Sequence, residues 1–314
     1  MNSHRFNDFD AFAESVRGVE CQMMLQNPEE LHWSVDSVSA GQTYIQLGRL
    51  GSGNIVEGQS RSDNYLIYLP LSDECEYAAN GETVGVNSFA ILEPGSEFCI
   101  STKTAHDWCA VHLPTGLFTD HCNANGSTAA SRQTRCRVTA ENPQLADRVK
   151  LYVNEIIEAA RACPQFETEN AAIAASAALR DVGSAVIGQP LVARERRDGR
   201  PKISRQKIID RSMALVKPFA DEPVTVGQMA AAAEVSERTL ETAFKEYFSA
   251  TPTHYLQLRQ LHQISRALKE ADPGKTSVTD VLTRHGVWQF GRFAARYRRL
   301  FGELPSETLR KRRR

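Results

Sequence analysis

A chain of 314 residues with 41% hydrophobic and 24% charged side chains can bury a large core and has room for two globular domains. No apolar run is long enough for a membrane-spanning helix, and Met1-Asn2-Ser3-His4-Arg5 does not open a signal peptide, so a cytoplasmic protein without membrane contact is expected. The net charge of −1 conceals a division: residues 1–200 hold 16 Lys/Arg against 26 Asp/Glu, and residues 201–314 hold 21 against 12, as though only one end meets a polyanion.

Residues 30–115 read as short strands, among them "NYLIYLPL", "FCISTK" and "DWCAVHLP". Turn signals such as Ala-Asn-Gly and Glu-Pro-Gly separate them at the spacing of a small antiparallel barrel or sandwich. Trp33, Tyr44, Tyr68 and Trp108 are candidates for contact with a small effector inside it, or simple core. His106 and His112 are isolated rather than grouped as ligands, so no metal is expected. The seven cysteines are scattered without a CxxC pair, which suits free thiols in a reducing compartment. Phosphate loop, nucleophile elbow and HExxH motif are all missing from the sequence, and no enzyme is expected.

Residues 142–190 turn helical. Asn142-Pro143 starts one helix with Leu145, Val149, Tyr152 and Ile156 on one side, and an alanine-rich helix is expected from Gln165 to Ile187. These helices either pack on the strands or form a dimer interface. The stretch 191–206 then places five arginines and a lysine in sixteen residues. A bare linker explains Gly199 and Pro201 but not Arg194, Arg196, Arg197 and Arg200, whose planar forks suit a phosphate-bearing anion.

From residue 205 the helices are well punctuated. Thr225 with Gln228 makes a capping box, and Val224 with Met229 a hydrophobic staple. Ser236 caps a second helix whose buried stripe is Leu240, Phe244 and Tyr247, leaving Glu237, Arg238, Glu241, Thr242 and Lys245 outward. Thr251-Pro252 opens a connecting helix carrying Leu261, Ile264 and Leu268 inward. The unit then repeats. Ser277-Val-Thr-Asp280 caps a short helix, Gly286 breaks it, and "WQFGRFAARYRRLFG" forms the next, with Phe290, Phe293, Ala294, Tyr297 and Phe301 as core. Gln289, Arg292, Arg296 and Arg299 project from its other side, and Gly302 closes it.

Two helix-turn-helix units joined by one helix, with "VSERTLETAFKEYFSATPTHYLQLRQL" and "GRFAARYRRLFGELPSETLR", resemble the DNA-binding domain of AraC/XylS-type transcription regulators. "NGETVGVNSFAILEPGSEF" likewise resembles the cupin-like sensor barrels of that family. The resemblance implies an α+β protein with a β-barrel sensor over 1–140, a helical dimerisation segment over 141–190, an arginine-rich linker over 191–204 and the DNA-binding domain over 205–314. It implies double-stranded promoter DNA, RNA polymerase, a second copy of the chain and a small effector as partners. The outward residues of the two recognition helices would meet the major groove, and Arg299 with Lys311-Arg312-Arg313-Arg314 the phosphates. Arg196-xxx-Arg200 is similar to the RxxxR element with which PilZ domains hold cyclic di-GMP. That makes cyclic di-GMP the expected anionic effector at Arg194, Arg196, Arg197 and Arg200, beside a plain linker, an added DNA contact or another anion.

Overall fold

In the computed structural model, residues 1–118, 136–168, 170–192, 204–216 and 224–311 are described. The chain opens with β1 (Asn2–Phe6), α1 (Phe9–Ser15) and β2 (Val19–Gln26). Strands β3 (Trp33–Ala40), β4 (Thr43–Leu50), β5 (Gly53–Ser60) and β6 (Asn64–Pro70) follow. Next come β7 (Tyr77–Ala79), β8 (Glu82–Val84), β9 (Ala90–Leu92), β10 (Glu97–Thr102), β11 (His106–Pro114) and β12 (Cys136–Val138). They form two antiparallel sheets, one ordered β1-β3-β4-β11-β6-β9-β12 and the other β2-β5-β10-β7-β8. Among the described residues the expected barrel is therefore two facing sheets whose edges are not joined by a ladder.

Strand alternation sorts the side chains into layers. In the seven-stranded sheet Trp33, Val35, Tyr68, Trp108 and Ala110 face the other sheet. Val38, Ile45, Ile67, Cys109, Val111 and Leu113 face the opposite way and are covered by α2 (Pro143–Ala162) and α3 (Asn170–Ile187). Asn142 caps α2 by accepting from the Leu145 N–H at 3.1 Å, with Pro143 at the first helical position. Gly183 lets α3 settle onto β11, since a Cβ there would stand 2.3 Å from Leu113 Cδ1. The expected start of this second helix at Gln165 is corrected: a tight 3-10 turn, Phe166–Thr168, first turns Phe166 inward to 3% exposure, and α3 begins at Asn170.

The C-terminal helices are α4 (Arg205–Val216), α5 (Val226–Ala232), α6 (Glu237–Phe248), α7 (Pro252–Glu270), α8 (Val278–Arg284), α9 (Phe290–Phe301) and α10 (Pro305–Arg310). They pack on the outer face of the five-stranded sheet. Asn80 and Gly81, both at positive φ, make the two-residue turn between β7 and β8, and this turn touches α6. Tyr247 Oη donates to Asn80 Oδ1 at 3.1 Å, and Ser101 Oγ lies 3.1 Å from Ser249 Oγ. Tyr255 Oη donates to Glu57 at 2.6 Å. His262 Nε2 lies 3.3 Å from the Leu25 carbonyl oxygen. Lys269 donates to both Asp8 and Asp10 at 2.7 Å, joining α7 to the start of α1. Burial pushes the Lys269 ammonium down, but the two carboxylates outweigh it and hold the group above its usual range. Gly302, at φ +76°, closes α9 where any Cβ would collide with Leu31.

Two histidines of β11 are buried neutral. His106 Nδ1 lies 3.1 Å from the Ser52 and 3.0 Å from the Thr104 carbonyl oxygens, and the His112 ring packs at a tilt against Tyr44, centroids 5.5 Å apart. Burial pushes each down to about 4. In the unfolded chain each titrates near its ordinary value of about 6.5, so between these values the unfolded state binds more protons. Stability is full above that window and falls as pH drops through it, by on the order of 2 kcal/mol per histidine at pH 5. A thermal-unfolding series should show the melting temperature falling from pH 7 to pH 5, with His112→Phe removing part of the fall; equal profiles for the two proteins would contradict this.

Candidate nucleic-acid interface and sensor cavity

The first recognition unit is built from its caps. Thr225 N–H donates to Gln228 Oε1 at 2.8 Å while Gln228 N–H returns a bond to Thr225 Oγ1, the capping box expected for α5. Met229, the staple residue, is fully buried, with Val224 packed on the same core. Ser236 accepts from Thr239 N–H at 3.2 Å and starts α6. Leu240, Ala243, Phe244, Tyr247 and Phe248 bury one face of α6, and the Phe248 ring meets Tyr255 of α7 at 4.7 Å. Each large side chain so buried stabilises by about 1.5–3 kcal/mol, far more than the caps, which set where the helix begins. Glu237, Arg238, Glu241, Thr242 and Lys245 are all exposed. Lys245 Nζ is paired with Glu241 at 2.7 Å, and Thr242 Oγ1 donates back to the Arg238 carbonyl at 3.0 Å.

The second unit repeats the construction with Ser277 and Asp280 as a capping box, in which Ser277 N–H donates to Asp280 at 2.9 Å. The Ser277 hydroxyl and N–H hold the Asp280 carboxyl below its usual range. Gly286 at φ +69° turns the chain into α9. Phe293, Tyr297 and Leu300 anchor this helix, with the Tyr297 hydroxyl bonded to Ser265 of α7 at 3.2 Å and Thr308 of α10 at 2.9 Å. Gln289, Arg292 and Arg299 are exposed, and Arg292 donates to Gln289 Oε1 at 3.1 Å.

Two readings of α9 change, and two of its residues were not anticipated. Arg296, expected outward, is half-buried because it lies at the edge of the packed face beside Phe293 and Leu300. Phe290, expected in the core, is 38% exposed, since the helix begins there and its first turn overhangs the domain. Leu300 is core, and Arg298 is exposed on the outward side, neither anticipated. The tail residues Arg312, Arg313 and Arg314 lie outside the described residues, as do Arg194, Arg196, Arg197 and Arg200. Lys311 is described and pairs with Glu303.

Between the two sheets lies a cavity of about 50 Å³. Tyr68 and Trp108 line it, stacked with ring centroids 6.1 Å apart. Trp33 does not: its indole N–H donates to Ser52 at 3.0 Å, and its ring packs on Phe9. Tyr44 sits against His112 and under Arg17, outside the cavity. Phe12, Val16 and Arg17, from the N-terminal segment, complete the lining and were not anticipated; a period-3 apolar pair after an Asp8 cap was the available signal. Among the described residues, no three His, Cys, Asp or Glu side chains converge as metal ligands, and no helix is long and apolar enough to cross a membrane.

Residues 229–311 match a family model described as a helix-turn-helix domain. Over 252 residues the chain is 25% identical to XylDLEGF operon transcriptional activator 1 of Pseudomonas putida, covering 79% of this chain and 73% of that protein. It is 34% identical over 110 residues to a probable thc operon regulatory protein of Rhodococcus erythropolis, 35% of this chain and 33% of that one. Among solved structures, the AraC-like transcriptional activator CuxR overlays 83% of this chain and 94% of its own at 15% identity and a TM-score of 0.45.

The Glu241–Lys245 pair sets a prediction. Removing the carboxylate frees a cation and removes a charge that repels phosphate. Glu241→Gln should therefore raise affinity for a random-sequence duplex severalfold at low salt, measured by fluorescence anisotropy, and an unchanged or weaker affinity would place α6 away from the DNA backbone.

Proposed function

We propose that this chain, which belongs to the AraC/XylS family by its C-terminal helix-turn-helix domain, is a sequence-specific transcription activator that works in the cytoplasm, reads promoter DNA with α6 and α9 and recruits RNA polymerase. The observation that carries the reading is the pair of capped helix-turn-helix units in one domain, each with an exposed polar or basic recognition helix. A recognition helix fits the major groove, and two on one rigid domain suit successive turns of one DNA face. Similarity to the XylDLEGF operon transcriptional activators of Pseudomonas putida supports activation rather than repression. Action as a homodimer is supported by Leu151 and Ile173, which stand 53% and 67% exposed on α2 and α3, away from the sheet. The effector is cyclic di-GMP held by Arg194, Arg196, Arg197 and Arg200, a reading that rests on the RxxxR spacing. A second reading places a small apolar effector of a few heavy atoms in the cavity, favoured by the Tyr68–Trp108 stack, with Arg17 and His106 among the polar groups that line it. The cavity is far too small for a dinucleotide, so the two effectors belong to different places.

Binding of the full chain to its own promoter region should weaken steeply as salt rises, because phosphates neutralised by arginine release counterions. Arg292→Ala should weaken binding to all duplexes to a similar degree and reduce the slope of affinity against salt by about one, the signature of a lost phosphate contact. Salt-insensitive binding, or none, refutes the DNA reading. Calorimetry with cyclic di-GMP should give heat with the wild type and none with the Arg196→Ala/Arg200→Ala double variant. Equal heats, or none from the wild type, return the arginines to the linker and leave the cavity as the sensing site.

A further inference from the structure

The outward face of α9 is not centred on arginine. With Phe293, Tyr297 and Leu300 buried, the 3.6-residue period puts Ala295 at the middle of the opposite side and Gly291 one turn before it. Both are exposed, and a Cβ added at Gly291 would meet nothing within 4 Å. Trp288, just before the helix, is 74% exposed and, with Phe290 at 38%, adds aromatic surface next to these small residues. Arg292 and Arg299 flank this apolar strip on one side and Arg298 on the other. Among the described residues none of these three arginines makes an ion pair with another. The strip thus lies inside a ring of free positive charge, which fits a polyanion and not a protein face.

We propose that α9 reads thymine, and does so through the C5-methyl group: Gly291 and Ala295 let the helix backbone approach the base edges, and Trp288 extends the apolar contact along the groove. The inference rests on the DNA-binding reading and names the chemistry of one of its two helices. The thymine methyl is the one apolar projection in the major groove, and small apolar side chains are what contact it. A larger polar residue at Ala295 would hold the helix off the bases. The flanking arginines then hold phosphates on either side and carry no sequence information themselves. The first helix differs in kind: Arg238, Thr242 and Lys245 at the centre of its exposed face offer hydrogen bonds. The two units are built to read chemically different half-sites.

The test uses the full chain and a duplex that the chain itself selects from a random pool. Each thymine is replaced in turn by deoxyuridine, which removes only the methyl. The expected result is a loss of about fourfold for each contacted methyl, confined to one half-site, with small effects in the other half. Trp288→Ala, at an exposed position that leaves the core intact, should abolish the thymine–deoxyuridine difference at the position it covers. Deoxyuridine binding as tightly as thymine everywhere overturns the inference while leaving DNA binding in place. A methyl preference unchanged by both Trp288→Ala and Ala295→Gln also overturns it, because another element then reads the methyl. Failure to select or bind any duplex would instead sink the regulator reading, and this inference with it.

Discussion

The central strands of the five-stranded sheet are pressed from both sides. Period-2 alternation sends Val56, Phe98 and Ile100 toward the cavity, and sends Glu57, Cys99 and Ser101 toward the helical domain. Neighbouring residues of one strand therefore belong to the cavity wall and to the seat of the helix-turn-helix domain. The same holds at α1, where Phe12 and Val16 line the cavity and the capping Asp8 with Asp10 grips Lys269. The positions of the recognition helices relative to the cavity follow from this shared layer.

That layer is held by polar contacts set in an apolar core. Tyr247, Tyr255 and His262 present rings to the core formed with Phe244, Phe248 and Phe301, while their polar tips reach Asn80, Glu57 and Leu25. Burial supplies the bulk of the attraction, and the polar tips set the register, since a buried hydroxyl without its partner is costly.

Much of the helical domain was legible in advance because its determinants are local. Thr225 with Gln228, Ser236, Thr251-Pro252, Ser277 with Asp280, and Gly302 each act within four residues of themselves, and each stands where the sequence placed it. The Ala-Asn-Gly turn is of the same kind. The first 26 residues were not read: β1 is a polar, exposed edge strand, and α1 is seven residues long, with little beyond Phe9 and Phe12 after the Asp8 cap to mark it. Of four candidate aromatics, Tyr68 and Trp108 reached the cavity and Trp33 and Tyr44 did not, because groups distant in sequence pack against the latter two: Ser52 and Phe9 at Trp33, and His112 and Arg17 at Tyr44.

By itself the sequence determined the helix starts and stops, the apolar stripes, the acidic and basic halves and the doubled helix-turn-helix, all of which rest on interactions between residues close in the chain. Only the tertiary structure decided that the strands form two unjoined sheets, that the reader docks on the outer face of one of them, and that N-terminal residues wall the cavity. It also decided that Ala295, not Arg296, stands at the centre of the second recognition helix's open face. The reason is the same in each case. Which side of an element is outside depends on what covers it, and the covering groups come from chain segments tens to hundreds of residues away, which no local pattern records.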